Sequence, residues 1–191
     1  MKIIPVFILI ILIGCGDDEV ATISHTKLIE EGWKEYAAKN YNDAIIKFQE
    51  ALSKDQNNPE ALNGIGWSKA KLNQTADSIN SFKAAITGSP SYVDAHAGIA
   101  GAYLATGDYE RAIASGRLVL SLDPNYSSVH DKVNARDIRI LLAEAYYNMG
   151  DYASAKNQID LLEVPGKVLD PGSTTYLMDL LLVIEELSKK S

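Results

Sequence analysis

The sequence predicts an all-α fold built from a unit that recurs every 34 residues. Its two tryptophans, Trp33 and Trp67, lie one such interval apart, and each follows a glycine. Other positions keep the same register, so that small residues recur with small ones and aliphatic residues with aliphatic ones. Two of these series are Gly32, Gly66 and Ala100, and Ile45, Ile79 and Ile113. Glycine or proline falls near the expected helix ends, at residues 59, 90, 107, 124 and 150, as turns between helices require.

This pattern resembles the tetratricopeptide repeat (TPR), a helix-turn-helix unit of 34 residues with small residues where its two helices cross. The unit also has an aromatic residue on its second helix, and Phe48 and Phe82 occupy that position. The resemblance implies an α-solenoid of about four TPR units followed by a C-terminal capping helix. The predicted units are TPR 1 over residues 25–58, TPR 2 over 59–92, TPR 3 over 93–126 and TPR 4 over 136–169.

The fourth unit arrives 9 residues late, after an insertion at 127–135 with the sequence SSVHDKVNA. This insertion either lengthens the first helix of TPR 4 or forms a loop at the edge of the array. Val129 and Val133 are four residues apart, a spacing that favours a helical extension. In TPR 3, Gly116 replaces the aromatic residue of the earlier units. Either a neighbouring side chain fills the space or that unit is packed more loosely.

The last apolar segment, residues 173–190, predicts a capping helix, which brings the number of helices to nine. Ser173 is its expected N-cap, and Lys189 and Lys190 suit a helix C-terminus. Its apolar residues extend beyond one narrow stripe. One interpretation is that the insertion and this helix cover each other. The other is that a leftover apolar strip forms a homodimer or docks on a membrane protein.

The first 14 residues predict a signal peptide. An apolar run of 11 residues, 3–13, follows Lys2 and is too short to cross a hydrocarbon core of roughly 30 Å as a helix. The sequence LIGC at 12–15 resembles the bacterial lipobox, which implies cleavage before Cys15 and lipidation of its thiol. The alternatives are a plain N-terminal anchor helix or a secretory signal in which the cysteine is incidental. If Cys15 is lipidated, residues 15–24 form the lipidated cysteine and the linker to the folded body.

The residues after Cys15 bear on where such a lipoprotein resides. In enteric lipoproteins an aspartate directly after the cysteine retains the protein in the inner membrane, and here that position is Gly16. By that rule the expected location is the outer membrane of a bacterial cell envelope. Asp17, Asp18 and Glu19 resemble the surface-export signals of some Bacteroidetes lipoproteins. The expectation therefore covers either the periplasmic face or the cell surface.

The resemblance also implies a concave groove, lined by the first helix of each unit, in which a protein or peptide partner binds. The groove positions of the family correspond here to Trp33, Tyr36, Trp67, Lys71, Asp94, Gly101, Glu144 and Tyr147. The tryptophans either form an exposed aromatic wall or pack as ordinary core. Four acids of these helices accompany the single Lys71, which either favours a basic partner segment or reflects a solvated face. These acids are Glu60, Asp94, Asp137 and Glu144.

Composition narrows the class of function. The formal net charge of −7, without clustered Lys or Arg, argues against nucleic acid. No metal-ligand spacing, phosphate loop or nucleophile motif is present, so we expect no enzyme activity and no cofactor, and His96 is expected to be a packed residue. The predicted function is a membrane-anchored adaptor or assembly scaffold in the cell envelope, for example in outer-membrane protein or pilus assembly. The alternative is a carbohydrate- or peptidoglycan-binding module that stacks sugars on Trp33 and Trp67.

Overall fold

The computed structural model describes residues 24–164 and 169–190. The predicted signal peptide, Cys15 and the linker up to residue 23 lie outside this part of the chain. Nine helices run through the described residues, as predicted. They are α1 (His25–Ala37), α2 (Tyr41–Leu52), α3 (Pro59–Lys71), α4 (Thr75–Gly88), α5 (Val93–Ala105), α6 (Tyr109–Leu122), α7 (Ala135–Asn148), α8 (Tyr152–Asp160) and α9 (Tyr176–Ser188).

Consecutive helices pair into hairpins, and each hairpin packs on the next. The pairs are α1 with α2, α3 with α4, α5 with α6, and α7 with α8, while α9 lies against α7 and α8. The first helices of the hairpins also contact one another in series, from α1 to α3 to α5 to α7. This arrangement confirms the predicted all-α repeat fold. None of the described helices is long and apolar enough to cross a bilayer.

The crossing of the first two hairpins is built around Phe48, which is fully buried. A Cβ atom placed on Gly32 or Gly64 would lie 2.6 Å or 2.4 Å from the Phe48 ring, so only glycine admits the ring from both sides. Trp33 then packs edge-on to the same ring, with 5.0 Å between ring centroids. Gly32, the glycine before Trp33, therefore leaves room for the Phe48 ring from the second helix.

The same arrangement recurs one repeat later. Phe82 is fully buried between Gly66 and Gly98, where a Cβ atom would lie 2.6 Å and 2.3 Å from its ring. Trp67 packs edge-on to Phe82 at a centroid distance of 5.6 Å. The repeated glycine-tryptophan pair thus reflects a repeated ring packing, and it accounts for the 34-residue interval that the sequence shows.

Gly116 has a different neighbour from the glycines of the earlier crossings. A Cβ atom there would lie 3.1 Å from Leu142 and 3.6 Å from Ile138, both on α7. These side chains fill the space that a phenylalanine occupies in the earlier hairpins. This confirms the interpretation that neighbouring side chains fill the space beside Gly116.

The insertion is a loop, and the predicted extension of the first helix of TPR 4 is wrong. The helix α7 begins at Ala135, where Asn134 forms a capping box with Asp137. The Asn134 side chain accepts from the Arg136 amide at 2.9 Å, and the Asp137 carboxylate accepts from the Asn134 amide at 2.8 Å. This strong start signal outweighs the spacing of the two valines.

Residues 127–134, which we call the strap, form a small hairpin before α7. The Ser128 amide donates to the Val133 carbonyl at 2.8 Å, and the Ala135 amide donates to the Tyr126 carbonyl at 2.7 Å. Val129 at the tip of the strap is 88% exposed, so the valine spacing does not mark a buried helical face.

The capping helix begins at Tyr176 with Thr175 as its N-cap, so the predicted N-cap Ser173 is wrong by two residues. A turn precedes it, in which the Ser173 amide donates to the Asp170 carbonyl at 3.0 Å. The helix α9 completes a second apolar cluster with α7 and α8. Its buried members include Ile140, Ala143, Ala155, Ile159, Leu180, Val183, Ile184 and Leu187.

An apolar strip of α9 is exposed, at Leu177, Met178 and Leu182. The apolar cover of α9 comes from α7 and α8, whereas the strap reaches towards α1 and α3. The interpretation that the strap and the capping helix cover each other is therefore wrong. A homodimer or a membrane protein docked at this strip stays a prediction.

Candidate functional site

The concave face formed by α1, α3, α5 and α7 is divided by the strap. The strap lies over the end of this face that α1 and α3 form, which we call the closed section. The remainder, between α3, α5 and α7, is an open cavity, which we call the open section. The predicted groove residues are distributed between these two sections and the edge of α9.

In the closed section the strap places the Asp131 carboxylate between two donors. The Tyr36 hydroxyl donates to it at 2.7 Å, and the Lys71 ammonium lies 2.9 Å from the same oxygen. Burial, together with the bond to Asp131, raises the pKa of the Tyr36 hydroxyl. Burial opposes ionisation of Asp131, but the bonds from Lys71 and Tyr36 outweigh it and lower the pKa of that carboxyl. The two predicted groove residues are therefore already engaged within the chain.

Trp33 is covered by the strap as well. The His130 ring stacks on the Trp33 ring with a centroid distance of 3.9 Å and an angle of 5° between the planes. The Trp33 indole nitrogen donates to Glu60 at 3.1 Å, and the His130 Nε2 atom lies 3.7 Å from the same oxygen. These neighbours, His130 first, lower the pKa of Glu60 despite its partial burial. Trp33 is 7% exposed, so the interpretation of an exposed aromatic wall is wrong here.

Trp67 is buried as well, and its indole nitrogen also has an acidic partner in the next hairpin. Its indole nitrogen donates at 3.0 Å to Asp94, which also accepts from Asn63 at 2.7 Å and from Tyr126 at 2.6 Å. A buried indole N–H needs an acceptor, and the first turn of the next hairpin supplies it. Trp67 is 8% exposed, and the interpretation of both tryptophans as packed core is confirmed.

The positions of these acceptors follow the repeat. Glu60 lies 27 residues after Trp33, and Asp94 lies 27 residues after Trp67. An acid 27 residues after each tryptophan is thus a sequence signal for an indole N–H with a hydrogen-bond acceptor. Glu60 and Asp94 thus accept hydrogen bonds within the chain. This role differs from both interpretations of the acids, a site for a basic partner and a solvated face.

The open section is a cavity of about 390 Å³. Its wall is mainly apolar, and its lining includes Ala70, Ala97, Gly101, Leu104, Ile140 and Leu141. A Cβ atom on Gly101 would have no atom within 4 Å, so this glycine faces open space. Glu144 also lines the cavity and accepts from the Ser188 hydroxyl at 3.3 Å. Of the predicted groove residues, Trp67, Gly101 and Glu144 line this cavity.

Tyr147 does not line the cavity. Its hydroxyl donates to the Leu177 carbonyl at 3.2 Å, and its ring packs edge-on to Tyr152 at 5.1 Å. It therefore helps to hold the start of α9 against the fourth hairpin. His96 is packed as predicted, with its Nε2 donating to the Pro90 carbonyl at 2.9 Å. Within residues 24–164 and 169–190, no group of three or more His, Cys, Asp or Glu is placed to hold a metal ion.

The burial of both tryptophans also bears on the carbohydrate alternative. Sugar stacking needs an open ring face, but one face of Trp33 is taken by His130, and less than a tenth of Trp67 is accessible. With the strap in place, the structure therefore offers neither ring as a stacking platform for sugars.

Comparison with known proteins agrees with this architecture. Residues 63–127 match the Tetratricopeptide repeat family. No curated protein sequence matches the chain. Among solved structures, MamA is 18% identical over 87% of this chain and 81% of its own, with a TM-score of 0.61.

Two further solved structures have the same fold. A tetratricopeptide repeat protein from Parabacteroides merdae ATCC 43184 is 16% identical over 91% of this chain and 62% of its own, with a TM-score of 0.64. The first TPR of Spaghetti (RPAP3), bound to the HSP90 peptide SRMEEVD, is 18% identical over 72% of this chain and 96% of its own, with a TM-score of 0.54. At these identities the likeness shows the fold alone, a TPR-type solenoid.

Proposed function

We propose that this chain is a membrane-anchored TPR lipoprotein that acts as a protein-interaction adaptor or assembly scaffold in the bacterial cell envelope. The observation that carries the proposal is the open section, a mainly apolar cavity on the concave face of a repeat solenoid. A similar fold binds a peptide in the solved structure of the first TPR of Spaghetti. The chain therefore combines a repeat solenoid with an open apolar cavity on its concave face, and both support a role in protein interaction.

The open section favours a partner of particular chemistry. Its lining exposes apolar surface that a partner would cover, and each Å² of apolar surface removed from water contributes about 25 cal/mol. Glu144 adds a partly exposed carboxylate to the lining, which attracts a positive charge. We therefore propose that the partner inserts an apolar side chain beside a Lys or Arg.

The anchor is the second part of the proposal. If Cys15 is lipidated, the linker up to Ser24 reaches roughly 30 Å at about 3.3 Å per residue. Two or more acyl chains anchor a protein stably, whereas one is marginal. The solenoid would then work close to the membrane surface, and the outer membrane is the proposed site.

Replacing residues 1–15 by a secretory signal peptide that is cleaved without a lipobox cysteine is expected to move the protein from the membrane fraction to the soluble fraction of the envelope, because the acyl acceptor Cys15 is removed while the leader is still cut off. Fractionation after alkaline washing, with detection of the chain by immunoblot, measures this. A protein with the replaced leader that stays with the membranes as firmly as the unaltered chain would show that lipidation of Cys15 is not what holds the chain there.

Gly101→Phe is expected to abolish partner binding, with at least a tenfold loss in captured partner, while the solenoid stays folded. The new side chain has open space before it and projects into the cavity that the partner would fill. The measurement is affinity capture from the native envelope after mild cross-linking, with capture quantified by mass spectrometry.

The matched control is Ala84→Phe, which adds the same side chain at an exposed position of α4, away from the cavity. It is expected to capture the same partner as the unaltered chain. Equal capture by Gly101→Phe and Ala84→Phe, with both proteins folded by circular dichroism, would place partner binding outside the open section.

A further inference from the structure

The strap is held to the concave face by side chains rather than by its backbone. Asp131 accepts from Tyr36 and contacts Lys71, and His130 stacks on Trp33. In the part of the chain that the structure describes, the backbone hydrogen bonds of residues 127–134 stay within the strap and its two ends. The tip at 128–132 can therefore lift away from α1 and α3 without breaking a backbone hydrogen bond to either.

The ends of the strap are fixed independently of its tip. Tyr126, just before the strap, is buried and donates to Asp94, and Asn134 at the other end caps α7. Val133 packs partly buried against the main core. A change confined to residues 128–132 thus leaves both anchors in place.

The surface beneath the tip has a defined chemistry. It presents a buried hydroxyl donor from Tyr36, an ammonium group from Lys71 and a flat indole face from Trp33. Removing Asp131 without a substitute would leave the Tyr36 donor without its acceptor, which is costly for a buried group. A carboxylate is the group that satisfies both Tyr36 and Lys71 when it replaces Asp131, and a ring beside it recovers the stacking on Trp33.

We infer that the closed section is a peptide-binding site for a carboxylate side chain next to an aromatic or imidazole ring, and that the strap occupies it as an intramolecular ligand. A partner segment with this chemistry competes with the tip of the strap. The strap occupies the site in the free protein because its short tether gives it an effective concentration there in the millimolar range. The inference does not rest on the proposed partner of the open section.

The test uses a chain in which residues 128–132 are replaced by a Gly-Ser segment of the same length. The probe is a labelled synthetic peptide of residues 127–134, with blocked ends, followed by fluorescence anisotropy. We expect saturable binding to the altered chain with a Kd below about 0.1 mM, and binding at least tenfold weaker to the unaltered chain, because its own strap competes at an effective concentration of about 1 mM. Two matched controls are a peptide carrying Asp131→Asn and the altered chain carrying Lys71→Met, each expected to weaken binding about tenfold or more.

A folded Gly-Ser chain that shows no saturable binding of the peptide would overturn the inference, as would equal binding of the Asp131→Asn peptide. If the Gly-Ser chain does not fold, the full-length chain carrying His130→Ala and Asp131→Asn replaces it, with the same expectation and the same overturning result. Gly101→Phe in the Gly-Ser chain is expected to leave peptide binding unchanged. This separates the closed section from the proposed partner site in the open section.

Discussion

Phe82→Ala is expected to lower the free energy of unfolding by about 3–5 kcal/mol. The ring is fully buried, and glycines lie on both of its sides, at Gly66 and Gly98. Because these glycines have no side chain that can move into the space, the cavity left by the ring cannot easily collapse. Trp67 also loses the ring against which it packs. Chemical denaturation followed by both circular dichroism and tryptophan fluorescence measures the loss.

The control for Phe82→Ala is Ile46→Ala on α2, where the side chain is 50% exposed. It is expected to cost less than about 1 kcal/mol, since a half-exposed side chain buries less apolar area and leaves no enclosed cavity. A loss for Phe82→Ala as small as that for Ile46→Ala would mean that the two hairpins repack around the missing ring. Neighbouring repeats share stability in such arrays, so a large loss is expected to reach the second and third hairpins together.

The hairpins and their crossings could be predicted because their packing leaves a periodic record in the sequence. Gly32 and Gly66 recur with Phe48 and Phe82 since each ring needs a glycine at the crossing. The helix count follows from the same record. Gly116 breaks the pattern, and the sequence could not reveal that α7 side chains compensate, because that contact involves the displaced fourth unit.

The cover of the candidate groove by the strap could not be predicted from the periodic sequence pattern. An insertion carries no periodicity, so its destination is set by tertiary contacts alone. Tyr36 and Asp131, for example, meet although they are 95 residues apart. The tryptophans were open to two interpretations because the repeat places them beside the crossing whether or not a ring covers them. The acid 27 residues after each tryptophan was the signal for burial, since an indole with a partner in the next hairpin is held inward.

Gly98→Ala and Gly101→Ala are expected to change stability in opposite directions. Both glycines lie in α5, and alanine is favoured over glycine in a helix interior by up to about 1 kcal/mol. At Gly101 nothing lies within 4 Å of the new methyl group, so we expect the full gain. At Gly98 the methyl group would lie 2.3 Å from the Phe82 ring, and Gly66 holds that ring on its other side. The clash is expected to produce a net loss of about 1–3 kcal/mol.

The Gly98 and Gly101 pair, measured by the same denaturation experiment, separates two reasons for a glycine in one helix. A loss at Gly98 with a gain at Gly101 means that the first glycine is required by packing and that the second is not required by the fold. Gly101 would then be the position at which the helix gives up stability and leaves the open section unfilled, as a binding cavity requires. A loss at Gly101 would instead show that the cavity closes over this position in solution. The open section would then lose its support as the partner site.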